Sequence, residues 1–133
     1  MNPKLILADT DPEVVAAWRT QFAKWPEVEI VEADLLDVEA DAFLVPGNSF
    51  GFLDGGLELR VQEAFGWSIQ DELRKTIRTD FFGELLVGQA VVMRLPALPR
   101  PMVYAPVWRT PGDVSSTVNA FLAVRGAFLA MKQ

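Results

Sequence analysis

Short apolar runs of strand length alternate along this chain with segments in which apolar residues recur every three or four positions. The short runs predict buried strands, and the longer period predicts amphipathic helices. The first helix should begin at the capping pair Asp11-Pro12 and end at Pro26. Strands are predicted over residues 5–8, 28–33, 42–45, 90–95 and 102–107, and later helices over residues 57–65, 68–79 and 114–131. This order predicts an α/β fold in which helices pack against a central sheet.

The chain length predicts one domain over residues 1–133. A chain of this size, half of it apolar, buries roughly two thirds of its unfolded surface, so packing alone can stabilise it. The sequence contains no cysteine and no histidine, which excludes zinc fingers, redox-active cysteine pairs, thiol nucleophiles and a Ser-His-Asp relay. Any catalysis must therefore use carboxylates, amides, hydroxyls or bound water. We expect no metal and no cofactor.

The charge balance bears on the partners of the protein. Twelve basic and 18 acidic residues give a formal net charge of −6. Sequence-independent nucleic-acid binding relies on clustered Lys and Arg, so we expect no nucleic-acid partner. No apolar run approaches the roughly 18 residues of a membrane span, and we expect no membrane association. The N-terminal segment lacks the pattern of a secretory signal, which together with the missing cysteines favours a cytoplasmic location.

A glycine-rich loop between the predicted strand 42–45 and the helix that starts at Leu57 is the predicted ligand site. Its glycines have no Cβ to keep a ligand away from the backbone. The free N–H groups at the start of the following helix would point into the same space and attract phosphate. The loop matches neither a P-loop nor a dinucleotide-binding fingerprint. The candidate ligand contacts are Asn48, Ser49, Phe50, Gly51, Phe52, Asp54, Gly55 and Gly56.

The same residues also fit a purely structural role. A tight connection between a strand and a helix needs glycines, and side chains such as Asn48 and Asp54 often bond the backbone of a turn. Asp34 follows the predicted strand 28–33. It either reaches the rim of the crevice and accepts a hydrogen bond from an amine, or caps the turn before Leu35. Both interpretations are open at this point.

Residues 33–66, ADLLDVEADAFLVPGNSFGFLDGGLELRVQEAFG, resemble the first half of the macro domain. In that family a strand ending in the pattern N-A-A-N-S leads into a glycine-rich loop, an acidic residue and a helix. Residues 83–111, GELLVGQAVVMRLPALPRPMVYAPVWRTP, are similar to two later strands of the same family. The resemblance implies a three-layer α/β/α sandwich with a mixed central sheet, and a cleft that binds ADP-ribose or a related ADP-ribosyl derivative.

The resemblance also implies roles for individual residues. Asp34 matches the aspartate that holds the adenine amino group, and Asn48 matches the asparagine that contacts the distal ribose. Gly55 and Gly56 match the end of the first phosphate loop. Glu58 matches an acidic residue that some hydrolytic members use in catalysis. The implied catalytic pair is thus Asn48, which places a water molecule, and Glu58, which assists it.

Several positions depart from the family pattern. Val45 stands where the first asparagine is expected, and Leu53 and Asp54 replace the first two loop glycines. The chain ends at Gln133, before the strand, second phosphate loop and closing helix that the family normally has, so the resemblance implies a C-terminally incomplete domain. Such a domain should expose a sheet edge and an apolar patch. A truncated gene, a partner chain that covers the edge, or a variant topology that forms a homo-oligomer would each account for it.

Three functions are compatible with the sequence. They are a hydrolase of ADP-ribosyl or O-acetyl-ADP-ribose ester bonds, a non-catalytic reader of ADP-ribose, and an incomplete scaffold that assembles with another chain. Other residues give weaker signals: Trp67 and Trp108 are interpreted as core aromatics. The basic residues Arg74, Lys75 and Arg78 are interpreted as a solvated surface without a function.

Overall fold

A computed structural model describes residues 3–133 of the chain. The elements are β1 (Ile6–Asp9), α1 (Pro12–Gln21), β2 (Glu29–Glu32), a 3-10 turn (Leu35–Asp37), β3 (Phe43–Asn48), α2 (Gly56–Phe65), α3 (Ser68–Asp80), β4 (Val91–Met93), β5 (Met102–Trp108) and α4 (Asn119–Met131). This order confirms the predicted α/β class. Backbone proximity divides the chain into two compact units, residues 1–40 and 41–133.

The first unit is a parallel strand pair joined by a helix. β1 and β2 pair in parallel, with Ile6 opposite Glu29. The side chain of Asp11 accepts a hydrogen bond from the backbone N–H of Glu13 at 2.9 Å, so the predicted N-cap is present. The helix ends at Gln21 rather than at Pro26, which corrects the predicted boundary. Trp18, Phe22 and Trp25 continue at helical spacing past this end, but Phe22 and Trp25 lie in the turn that follows, where their rings pack edge to face with centroids 6.4 Å apart.

The second unit contains a mixed three-stranded sheet in which β5 is the middle strand. β3 pairs with β5 in parallel, and β4 pairs with it in antiparallel orientation. Successive residues of a strand point to opposite faces. Val103 and Ala105 of β5 therefore share one face, where they pack with Ala123 and Ala127 of α4. On the opposite face the ring of Phe43 in β3 lies 6.3 Å from that of Phe65 in α2.

Helices thus cover both faces of this sheet, so the second unit has the predicted three layers. Several boundaries differ from those predicted. β3 continues to Asn48, because its last residues still pair with β5, and α4 begins at Asn119 rather than near Val114. The residues before α4 form turns, in which the side chain of Asp113 accepts a hydrogen bond from the N–H of Ser115 and so competes with helical bonding.

The outer side of α4 is apolar and exposed. Its exposed side chains, with that of the residue just before the helix, are Val118, Phe121, Val124, Leu129 and Met131. Along residues 3–133, none of the helices combines the length and the apolar character needed to cross a lipid bilayer. The predicted partner chain or homo-oligomer that would cover an exposed surface stays a prediction.

The inner side of α4 approaches the chain before β4 closely. A Cβ added at Gly126 would lie 2.5 Å from the carbonyl oxygen of Gly88, which is backbone and cannot move aside cheaply. Small residues on this side of the helix, Ala123 and Ala127, permit the same close packing. The close packing of α4 therefore depends on glycine, which has no side chain, at residue 126.

We expect Gly126→Val to lower the free energy of unfolding by about 1–3 kcal/mol, because the added side chain overpacks the contact with Gly88. Urea denaturation followed by circular dichroism measures this change. Arg125→Val is the matched control, since it places the same side chain at the neighbouring, exposed position. An equal loss in both variants would show that the close contact with Gly88 is not responsible.

Candidate functional site

The last two residues of β3, Gly47 and Asn48, lead directly into the loop formed by residues 49–55. Gly47 lies against the hydroxyl of Tyr104, where any Cβ would overlap the ring. The Tyr104 hydroxyl donates a hydrogen bond of 2.7 Å to the carbonyl oxygen of Asn48. The absence of a side chain at residue 47 thus lets a tyrosine from β5 hold the point at which the loop begins.

The side chain of Asn48 organises the first half of the loop. Its Oδ1 accepts hydrogen bonds from the N–H groups of Phe50 at 3.0 Å and Phe52 at 3.3 Å. Its Nδ2 donates to the carbonyl oxygen of Phe52 at 2.8 Å. A carboxamide has one acceptor oxygen with two lone pairs and two N–H donors. One N–H of the buried Asn48 side chain therefore has no partner within the loop, and its oxygen is already occupied by the loop.

Two glutamine side chains anchor the second half of the loop at Leu53. Gln70 of α3 accepts a hydrogen bond from the N–H of Leu53 at 2.8 Å, and Gln62 of α2 donates one to its carbonyl oxygen at 2.9 Å. The side chain of Leu53 is fully buried. Leucine in place of the expected glycine is therefore an apolar anchor that fixes the loop on the two helices.

Arg74 has a role in this loop that sequence reasoning missed. Its Nε donates to the carbonyl oxygen of Phe50 at 3.2 Å, and its guanidinium lies 4.0 Å from the ring centroid of Phe52. Gly51, with φ 77°, packs beside Ile77, whose δ-methyl would lie 2.8 Å from an added Cβ. Gln70, Arg74 and Ile77 are four and three residues apart, so they share one face of α3. That spacing was the signal that could have identified Arg74.

The end of the loop is open, in contrast to its beginning. A Cβ added at Gly55 or Gly56 would meet no atom within 4 Å. No side chain caps the N-terminus of α2, and Gly56 has φ 54°, which favours glycine. The first N–H groups of an α-helix lack partners within the helix, and the helix dipole attracts anions to this end. The start of α2 can therefore receive a phosphate group through backbone donors.

Glu58 lies in the first turn of α2, next to this opening. Partial burial raises the pKa of Glu58 to about 7, and the nearby negative charge of Asp54 contributes in the same direction. Burial and the charge of Glu58 also raise the pKa of Tyr104. A carboxyl group with a pKa near neutrality can accept or release a proton at physiological pH. The raised pKa thus makes the Glu58 carboxyl suited to acid–base chemistry.

The other predicted site residues have the following positions. Ser49 is buried, and its backbone bonds Arg109 and Leu85 on either side. Asp54 is exposed at the open end of the loop. Asp34 belongs to the first unit, where its side chain accepts a hydrogen bond from the N–H of Leu36 at 3.0 Å and caps the 3-10 turn. Its contact with adenine stays a prediction. In the described part of the chain, acidic side chains form no cluster able to hold a metal ion.

Solved structures with a similar fold are macrodomains. The chain matches the macrodomain of Mycobacterium tuberculosis DarG with a TM-score of 0.59 and 17% identity, over 75% of this chain and 64% of that one. It matches a point mutant of the Oceanobacillus iheyensis macrodomain with a TM-score of 0.61 and 17% identity, over 75% and 55% of the two chains. Thermosipho africanus DarTG in complex with ADP-ribose gives a TM-score of 0.60 and 12% identity, over 96% and 41%.

These similarities confirm the fold that the sequence resemblance implied: the chain has the macrodomain fold. At 12–17% identity they show the fold alone. The chain spans 41–64% of the length of the structures it matches. No family model and no curated protein sequence matches the chain.

We expect the titration of Glu58 to lower the free energy of unfolding as the pH rises from about 4.5 to about 7. Glu58→Gln should remove this contribution. Because the folded pKa of Glu58 is raised, the folded state binds more protons than the unfolded state in this range, and stability is lost as the proton leaves. Solvent screening of the half-buried carboxyl limits the effect to about 1 kcal/mol. Urea denaturation at pH 4.5 and pH 8 measures it.

Glu63→Gln is the control, since it removes an exposed carboxyl from the same helix and leaves Glu58 in place. If Glu58→Gln and the wild type lose the same stability between the two pH values, the assignment of a raised pKa to Glu58 is wrong.

Proposed function

We propose that this chain binds ADP-ribose or an ADP-ribosyl derivative, with the diphosphate at the N-terminus of α2 and along the open end of the loop. The observation that carries the proposal is the uncapped start of α2, where two glycines leave the backbone accessible. Backbone N–H groups at such a position bind phosphate even in a protein with a net negative charge. The ADP-ribose complex of Thermosipho africanus DarTG, whose fold is similar, supports this choice of ligand.

The remaining contacts follow from the loop geometry and from the family resemblance. Asn48 contributes its one remaining N–H to the distal ribose, and its oxygen keeps the loop in shape. The ring of Phe52, which is 39% exposed, offers an apolar surface beside the ligand.

Gly55→Val is expected to weaken ADP-ribose binding at least tenfold and to leave the fold intact. Residue 55 has φ −155° and ψ 153°, which valine adopts without strain, and an added Cβ meets no neighbour, so only the approach of the ligand is blocked. Isothermal titration calorimetry with ADP-ribose measures the affinity. Gly112→Val is the matched control, because it adds the same side chain at another open glycine of the second unit.

A heat signal for the wild type that survives unchanged in Gly55→Val would place the ligand elsewhere. The absence of any heat signal or thermal shift for the wild type at millimolar ADP-ribose would reject ADP-ribose binding. The scaffold that assembles with another chain would then be the remaining function of the three.

A second function, hydrolysis of ADP-ribosyl or O-acetyl-ADP-ribose ester bonds, is favoured by one observation. Glu58 has a pKa of about 7 and lies beside the start of α2, so its carboxylate can take a proton from an attacking water molecule. The water oxygen then forms a bond to the electrophilic carbon, and the ester carbon–oxygen bond breaks. A leaving alcohol takes up the proton held by Glu58, whereas a leaving carboxylate departs as an anion and Glu58 returns its proton to solvent. Asn48 can orient the bound group through its remaining N–H.

Glu58→Gln is expected to reduce turnover of O-acetyl-ADP-ribose and of a mono-ADP-ribosylated protein by about 100-fold or more, because general base catalysis typically contributes this much. The affinity for ADP-ribose should change far less. The wild-type rate should rise with pH around 7 as Glu58 loses its proton. Chromatography of the products measures turnover, and Glu63→Gln is the control. Binding without turnover in the wild type would identify a reader.

A further inference from the structure

The outer side of α4 carries a straight apolar stripe that is accessible to solvent. Phe121, Val124, Phe128 and Met131 follow one another at intervals of three, four and three residues. Phe121 is 68% exposed, Val124 42% and Met131 41%, and Phe128 is half-buried. Residues at this spacing lie along one side of an α-helix. We call these four residues the α4 seam.

Packing on the sheet does not account for this second apolar side. α4 packs on β5 through the small residues Ala123 and Ala127, and Gly126 lies against the backbone of Gly88. A helix on the surface of a domain normally presents polar residues on the side away from the core, and a helix that is apolar all round is normally buried. The α4 seam thus has the composition of a surface that packs against a further element.

The spacing of the α4 seam indicates the shape of that element. Alternating intervals of three and four residues are those of the a and d positions of a coiled coil, whose side chains fit between the side chains of a second helix. The seam spans residues 121–131, which is about 15 Å of helix. The occupant that fits this stripe is a short α-helix whose own apolar residues recur at the same intervals.

The charges beside the α4 seam determine which helix fits. Arg125 follows Val124 and Lys132 follows Met131, so both basic side chains border the seam on the same side, and both are exposed. Neither of them forms an ion pair within residues 3–133. α4 contains no acidic residue, although the whole chain has a net charge of −6. Charged residues that flank an apolar seam pair with opposite charges on the partner and set partner choice.

Two other occupants fit these observations less well. A second copy of α4 would bring only further basic residues to the seam and would leave Arg125 and Lys132 without acidic partners. An anionic membrane attracts basic residues, but it repels a protein whose net charge is −6. A lipid surface also has no use for an alternation of three and four residues.

We propose that the α4 seam binds an amphipathic helix of a partner protein, whose apolar residues pack on the seam and whose acidic residues pair with Arg125 and Lys132. α2 and α4 cover opposite faces of the sheet, so this surface is separate from the loop that precedes α2. The inference therefore does not depend on the proposed function, and the affinity for ADP-ribose should not change when the seam is altered.

The test uses three synthetic helical peptides as probes. The acidic peptide has Leu at alternating intervals of three and four residues, with Glu on both flanks. The basic peptide has Lys in place of Glu, and the third peptide keeps Glu but has Ser in place of Leu. Fluorescence anisotropy of the labelled peptides measures their affinity for the whole chain at about 0.15 M salt, where charges more than about 8 Å apart are largely screened.

The acidic peptide should bind about tenfold more tightly than the basic peptide, because the flanking charges attract the first and repel the second. The peptide with Ser should not bind. Non-specific attraction to a chain of net charge −6 would favour the basic peptide, so the two explanations predict opposite orders of affinity. Arg125→Glu combined with Lys132→Glu should reverse the preference, so that the basic peptide binds more tightly.

Phe121→Ser should weaken binding of the acidic peptide about fivefold or more, because it removes the most exposed aromatic side chain of the α4 seam. Phe82→Gly is the matched control. Phe82 lies in the turn after α3, is fully exposed and has φ 56°, a conformation that glycine adopts without strain. This variant removes an exposed aromatic side chain outside α4 and should bind the acidic peptide as the wild type does.

Failure of all three peptides to bind, or equal binding of the acidic and basic peptides, would overturn the inference. Binding that survives unchanged in Phe121→Ser would place the peptide on another surface and also overturn it. A wild-type dimer in analytical ultracentrifugation that Phe121→Ser abolishes would assign the seam to a second copy instead. Flotation of the wild type with vesicles of phosphatidylserine and phosphatidylcholine, lost in the same variant, would assign the seam to a membrane and refute a helical partner.

Discussion

The buried side chain of Asn48 is the interaction on which the candidate site depends. Its three hydrogen bonds to the backbone of Phe50 and Phe52 hold the first half of the loop in shape. The Tyr104 hydroxyl donates a further hydrogen bond to the backbone carbonyl oxygen of Asn48. A buried carboxamide with its partners in place is rigid, because each lost bond would leave an unpaired polar group. Asn48 thus holds the first half of the loop, Gln62 and Gln70 hold its second half at Leu53, and no side chain caps the start of α2 that follows.

The charges around this opening have opposing effects. Backbone N–H groups at the start of α2 favour a bound anion, whereas the carboxyl groups of Asp54 and Glu58 oppose one. Burial raises the pKa of Glu58 to about 7. Near neutral pH this group is therefore partly protonated and uncharged. The same shift gives Glu58 a pKa suited to proton transfer. Anion binding and acid–base chemistry are thus compatible at one short stretch of backbone.

Much of the fold could be predicted from local pattern. The spacing of Ile69, Leu73 and Ile77 predicted α3, and these side chains are buried. The ends of helices were harder to predict. α1 ends at Gln21, although aromatic residues continue at helical spacing to Trp25. The spacing of apolar residues does not show where the backbone hydrogen bonds of a helix stop. The loop was placed correctly between β3 and α2, but its glycines differ in role. The position of Gly51 is buried against α3, whereas Gly55 is open, and no local pattern separates the two.

The sequence by itself determined the α/β order, the absence of thiol and imidazole chemistry, and the loop that precedes α2, because each depends on residue type or on neighbours along the chain. Only the tertiary structure decided that the Asn48 oxygen is occupied by the loop, that Arg74 lies on Phe52, and that Phe82 projects from a strained turn. Arg74 meets the loop across more than 20 residues of chain, and the exposure of Phe82 depends on everything packed around it. Burial and long-range hydrogen bonds are properties of the assembled structure, so no local pattern can specify them.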